Sequence, residues 1–156
     1  MTQQPMQQQG RPAQQSQQPI QMGQQPQRGM QGQQMQTAMG LRFADATTQE
    51  QQIALSEILE AIKACEWCAD QCLDEGPAMA ECIRRCRDVT DIGSATVQLM
   101  SRHSIVADEA ANMFINAASA CLQECSTHNH AHCQDCAEKL DRAIMAVQQC
   151  TQMGPQ

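Results

Sequence analysis

The chain has 156 residues, of which 42% are hydrophobic but only 2% aromatic, and it contains ten Cys and eleven Met. A large aromatic-lined core or substrate pocket is therefore not expected, and sulfur-containing side chains must supply much of the buried surface. The formal net charge of −7 opposes nucleic-acid binding. We expect no membrane segment, because no apolar run approaches the roughly 18 residues that cross a bilayer.

Residues 1–44 are predicted to form a disordered tail rich in Gln, Pro and Met. Residues 1–40 hold seventeen Gln, four Pro and six Met, and almost nothing that forms a core. Flexible thioethers can bind Cu(I), but Met is also simply tolerated in such a segment. We find no pattern of a secretory signal and expect a cytoplasmic protein. In that reducing compartment, abundant cysteines favour metal binding over disulfides.

Residues 45–156 hold all ten Cys and all four His, and they are predicted to form a cysteine-rich helical domain. The segment 47–50, Thr-Thr-Gln-Glu, has the Thr-x-x-Glu form of a capping box. It predicts a first helix that begins there and runs to Gly76-Pro77.

Three further helices follow the first. Pro77 suits the opening turn of a second helix at about 77–101. Ser104 is the expected cap of a third helix at about 105–127, and a short turn leads into a fourth at about 131–151. Long helices joined by short turns predict an all-α fold, an antiparallel up-down-up-down four-helix bundle.

Helical periodicity places every cysteine on the face that such a bundle buries. Because chain direction alternates, the end of helices one and three meets the start of helices two and four, which brings nine thiols together. Only one cysteine belongs to the opposite end. The nine are Cys65, Cys68, Cys72, Cys82, Cys86, Cys121, Cys125, Cys133 and Cys136, and the tenth is Cys150.

Histidines lie in the turn beside this thiol-rich end. His128 continues the inward stripe of Cys121 and Cys125, and His132 precedes Cys136 by four residues. We therefore expect His128 and His132 to bind metal at the mouth of the bundle; the alternative is that they cap helices or face solvent.

Soft thiolates select Cu(I), Zn(II) or Fe–S clusters. One Cu(I) per thiolate leaves no net charge in a dry core, whereas Zn(II) with four thiolates leaves two negative charges. Protonated thiols behave as small apolar side chains, so the bundle can fold empty. The sequence thus favours a store or buffer that binds several Cu(I) ions per chain. An Fe–S electron-transfer or sensing protein, a Zn(II) buffer and a disulfide-linked bundle remain alternatives, and no motif of an enzyme is recognised.

Four cysteine-rich segments carry a resemblance to a known family. They are CEWCADQCL at 65–73, ECIRRCRD at 81–88, ACLQEC at 120–125 and HCQDCA at 132–137. Over about residues 47–151 the chain resembles the cysteine-rich four-helix-bundle copper-binding family, the copper storage proteins. The resemblance implies several Cu(I) ions held between the ten cysteines, with His128 and His132 at the open end, and a homotetramer. Because the cysteines occupy only part of the core, we expect a lower capacity or a different metal.

Overall fold

A computed structural model describes residues 40–152. Most of the predicted tail and residues 153–156 lie outside this range, as do the tail methionines. The elements are α1 (Phe43–Ala46), α2 (Gln49–Asp74), a 3-10 turn (Pro77–Met79), α3 (Ala80–Ser101), α4 (Ala107–Cys125) and α5 (Ala131–Gln152). The single-turn helix α1 is not predicted by the sequence analysis, and it spans the expected tail boundary between residues 44 and 45.

Helices α2 to α5 form the predicted bundle, in which each helix packs against the next and α5 packs against α2. The helices are antiparallel. The Gln51 side-chain amide at the start of α2 donates a 2.9 Å hydrogen bond to the Met100 carbonyl at the end of α3. At the other end, the Sγ atoms of Cys68 and Cys133 join the end of α2 to the start of α5 at 3.8 Å. The all-α up-down-up-down prediction is confirmed.

Two predicted helix caps are wrong. The cap of α2 is Thr48, whose Oγ1 accepts a 3.1 Å hydrogen bond from the backbone N–H of Gln51. The Thr47 hydroxyl instead donates to the Phe43 carbonyl of α1 and accepts a 3.0 Å hydrogen bond from the side-chain amide of Gln52. Helix α4 begins at Ala107, after Val106 and without a side-chain cap, so Ser104 does not serve as one.

The corner between α3 and α4 carries backbone strain at His103, where φ is +51°. The backbone N–H of His103 donates to the Met100 carbonyl, and that of Ser104 donates to the Leu99 carbonyl. These two bonds form a Schellman motif, in which glycine normally takes the left-handed position.

We expect the substitution His103→Gly to raise the free energy of unfolding by about 1 kcal/mol, because glycine adopts positive φ without a Cβ clash. Urea unfolding of the metal-free protein measures this change. The matched variant His103→Ala keeps the Cβ atom and should give no such gain; equal effects of the two substitutions would contradict the strain.

The half of the core without clustered sulfur is packed by aliphatic side chains around Phe114, which is fully buried. Gly93 of α3 permits this packing. A Cβ atom there would lie 3.1 Å from Cγ1 of Ile62 and 3.3 Å from the Phe114 ring. The bundle core therefore divides into an aliphatic half and a thiol half. Among residues 40–152, no helix combines the length and hydropathy needed to cross a bilayer.

Candidate metal centre

The structure brings together the nine cysteines that alternating helix direction is expected to gather. All nine have 0% exposure, and they lie where α2 and α4 end and α3 and α5 begin. We call this end of the bundle the mouth. Cys150 is only half-buried and lies near the opposite end, on the last turns of α5. All ten cysteines are free thiols.

Three groups of four Sγ atoms form along the bundle axis, and within each group all four atoms lie within 4.8 Å of one another. The inner group takes one cysteine from each helix of the bundle. The middle and outer groups lie progressively closer to the mouth. The inner group is Cys65, Cys86, Cys121 and Cys136; the middle group is Cys68, Cys82, Cys86 and Cys125; the outer group is Cys68, Cys72, Cys82 and Cys133.

Shared cysteines connect the groups. Cys68 and Cys82 belong to both the outer and the middle group, and Cys86 belongs to both the middle and the inner group. We call the sulfur atoms of the nine cysteines the column. Short contacts link them further: Sγ of Cys82 lies 3.7 Å from that of Cys125, and Sγ of Cys86 lies 3.6 Å from that of Cys121. An ion bound in one group thus has ligands in common with the next.

A histidine and a glutamate complete the mouth. Nε2 of His132 lies 3.6 Å from Sγ of Cys72 and 3.6 Å from Oε2 of Glu75. We call these three side chains the mouth triad. The other carboxylate oxygen of Glu75, Oε1, lies 2.7 Å from Nδ1 of His130, whose ring stacks on that of His132.

His128 is placed differently from His132. Its Nε2 atom lies 3.1 Å from Oε1 of Glu124, one helical turn earlier on α4, and the ring is partly buried. Within residues 40–152, neither His128 nor Cys150 belongs to a group of side chains that could hold a metal ion. Of the two predicted mouth histidines, the structure therefore places only His132 against the thiols.

Glu75 is a residue of the mouth that the sequence pattern does not reveal. This residue follows the last residue of α2, where the inward periodicity no longer applies, and its carboxylate reaches the loop before α5. Its position in the sequence is the signal that could have revealed it. A carboxylate directly after the thiol-rich end of α2 is expected to lie near the histidine-containing turn before α5, because both are at the same end of the bundle.

The core around the thiols is almost without charge. In the part of the chain that the structure describes, Thr96 is the only buried polar or charged residue other than the cysteines. Burial raises the pKa of the Cys72 thiol and raises the pKa of Cys133 to about 12. Because a thiolate is poorly solvated there, these groups keep their protons until a metal replaces them.

We expect the metal-free protein to lose stability above about pH 8.5, where thiols of an unfolded chain ionise. In the fold, burial raises the pKa of Cys133 to about 12. Between these values the folded chain binds more protons than the unfolded chain, so the free energy of unfolding falls as pH rises. Anaerobic urea unfolding at about pH 7, 9 and 10 tests this expectation. A constant value over that range would contradict it.

The chain is similar to known cysteine-rich proteins. The pattern of the copper storage protein family matches residues 47–155. A cysteine-rich protein of Bacillus subtilis, YhjQ, is 30% identical over 108 residues, which cover 68% of this chain and 97% of that protein.

Two solved structures that are similar to this chain hold copper. The copper storage protein Ccsp of Streptomyces lividans, loaded with 10 copper equivalents, is 28% identical with a TM-score of 0.63, and the match covers 72% of this chain and 91% of that one. Cu(I)-bound BsCsp3 of Bacillus subtilis is 29% identical with a TM-score of 0.59, and the match covers 69% of this chain and 100% of that one.

Proposed function

The chain belongs to the copper storage protein family, and from this premise we propose that it stores or buffers several Cu(I) ions between the thiolates of its core. The observation that carries the proposal is the continuous column of nine buried cysteines in three overlapping four-sulfur groups. Soft thiolate ligands of this kind suit Cu(I).

Charge balance supports a monovalent cargo. Each Cu(I) that displaces one thiol proton leaves the core neutral, and a neutral core avoids the large free-energy cost of buried charge. Among the described residues, no Lys or Arg is buried beside the cysteines to offset surplus thiolate charge. A column filled with one Cu(I) per thiolate needs no such partner.

We propose the nine clustered cysteines as the main ligands, with His132 as the ligand through which copper enters or leaves the column. Its Nε2 atom already contacts the outermost thiol, that of Cys72. His128 is proposed as an auxiliary ligand that must first leave Glu124, and Cys150 as a separate weak ligand at the opposite end.

The Fe–S alternative is less well supported. Sγ atoms of the column are in direct contact, for example 3.5 Å between Cys65 and Cys136. An iron–sulfur core must fit between its cysteine ligands, so such ligands cannot remain in contact with one another. The Zn(II) alternative for the four-sulfur groups suffers from the two negative charges that four thiolates leave around a divalent ion.

The setting of the protein is part of the proposal. A reducing cytoplasm keeps the thiols free for copper, and the related Streptomyces lividans protein is described as cytosolic. We propose that the role is not catalytic. We also propose that residues 45–156 fold into the bundle without the tail, and that the protein forms a homo-oligomer. Exposed Trp67, Leu59 and Leu73 of α2 offer apolar contact area for association. Analytical ultracentrifugation of the metal-free and loaded protein tests the last point.

The deciding experiment is an anaerobic Cu(I) titration against a chromophoric Cu(I) chelator. We expect several ions to bind per chain before the chelator takes up copper. Saturation at one ion or none would refute storage. Repeating the titration without residues 1–43 shows whether the tail methionines add capacity; an unchanged number assigns storage to the bundle alone.

A further inference from the structure

The mouth triad differs in chemistry from the four-sulfur groups. It offers one sulfur, one imidazole nitrogen and one carboxylate oxygen, from Cys72, His132 and Glu75, and these atoms lie within 4.8 Å of one another. Mixed sulfur, nitrogen and oxygen ligands are typical of Zn(II), whereas Cu(I) prefers sulfur.

Two of the three distances between these atoms already suit a tetrahedral divalent ion. With Zn–S of about 2.3 Å and Zn–N and Zn–O of about 2.1 Å, tetrahedral angles place sulfur and nitrogen about 3.6 Å apart, and nitrogen and oxygen about 3.4 Å apart. The Cys72–His132 distance is 3.6 Å, and the His132–Glu75 distance is also 3.6 Å. Little movement is needed to bind.

Charge at the triad also matches a divalent ion. When Zn(II) binds, the Cys72 thiol releases its proton to solvent, so one thiolate and the Glu75 carboxylate carry two negative charges. Neutral His132 adds none. The bound site is therefore uncharged, in contrast to a four-thiolate site around the same ion.

A neighbouring residue holds the carboxylate in place. His130 contacts Oε1 of Glu75 at 2.7 Å, which leaves Oε2 directed at His132. Such outer contacts typically orient the ligands of metal sites and fix their direction of approach. His132 is 11% exposed and Glu75 is 25% exposed, so an ion can reach the triad while a water molecule occupies its fourth position.

We infer that the mouth triad is a binding site for one divalent zinc-like cation, separate in chemistry from the Cu(I) column. Because Cys72 is also a member of the outer group, a divalent ion at the triad withdraws one sulfur from the path into the column. Zinc at the mouth then slows copper uptake; this second consequence depends on the proposed copper storage, whereas the site itself does not.

Cobalt(II) serves as the probe for the site, because it substitutes for zinc and gives visible absorption. Titration of the full metal-free chain under reducing, anaerobic conditions should show one Co(II) with a charge-transfer band from a single thiolate. We expect Glu75→Gln and His132→Ala each to weaken Co(II) binding by at least about 10-fold, and His130→Ala to weaken it by about 10-fold. Zn(II) should displace the bound Co(II).

The matched control is Glu81→Gln. Glu81 lies in the first turn of α3 at the same end of the bundle, and its carboxylate pairs with Arg84 and Arg85. This variant should bind Co(II) as the unmodified chain does. A spectrum of four thiolates that Glu75→Gln leaves unchanged would place the ion in the sulfur column and overturn the inference, as would the absence of Co(II) binding. Neither result affects the Cu(I) titration, so the two proposals can fail independently.

Discussion

The double substitution Cys82→Ala with Cys86→Ala is expected to reduce the number of Cu(I) ions bound per chain by about half or more. The reason is that these two residues together supply sulfur to all three groups. The outer group loses Cys82, the inner group loses Cys86, and the middle group loses both. Anaerobic titration against a Cu(I) chelator measures the capacity.

A matched double variant distinguishes the effect of which thiols are removed from the effect of how many are removed. Cys65→Ala with Cys136→Ala also removes two buried thiols, but both belong to the inner group alone. This control should retain more copper than the first variant. Cys150→Ala, outside the column, should change the capacity least. Alanine keeps the core apolar, and circular dichroism of each metal-free variant establishes that it folds. Equal losses in the two double variants would contradict the role of shared ligands.

The substitution Phe114→Ala is expected to lower the free energy of unfolding of the metal-free protein by about 3–5 kcal/mol. Phe114 is fully buried on α4 and is the largest of the fully buried side chains, and its ring lies against the Gly93 position of α3. Removing the ring leaves a cavity in the aliphatic half of the core. Urea unfolding under reducing conditions measures the loss.

The neighbouring residue provides the control. Met113 is 57% exposed, so Met113→Ala should change the free energy of unfolding by no more than about 0.5 kcal/mol. Cu(I) binds the folded column, so loading should recover part of the stability that Phe114→Ala loses. If Phe114→Ala lowered the free energy of unfolding of the metal-free protein by less than about 1 kcal/mol, packing around Phe114 would not be a main source of stability, and the prediction would be wrong.

The sequence by itself determined the helical fold and the direction of the thiols. A helix turns by a fixed angle per residue, so the spacing of Cys65, Cys68 and Cys72 puts them on one face whatever surrounds them. Short turns force neighbouring helices to run antiparallel, which was enough to bring the nine thiols to one end. The start of α2 depends on more than residue type, because Thr47 and Thr48 are both good caps and only the structure shows that Thr48 takes the role.

Only the tertiary structure decided which atoms meet. That Cys82 and Cys86 serve two groups each depends on how far each helix is shifted along its neighbour, and periodicity within one helix carries no information about that shift. The same holds at the mouth. His132 contacts Cys72, while His128, in the turn after α4, contacts Glu124 at the end of that helix, although the sequence predicts both histidines as mouth ligands. Glu75, in the turn after α2, meets His132 on the first turn of α5 because packing between the helices sets their relative position, which the helical repeat of neither one determines.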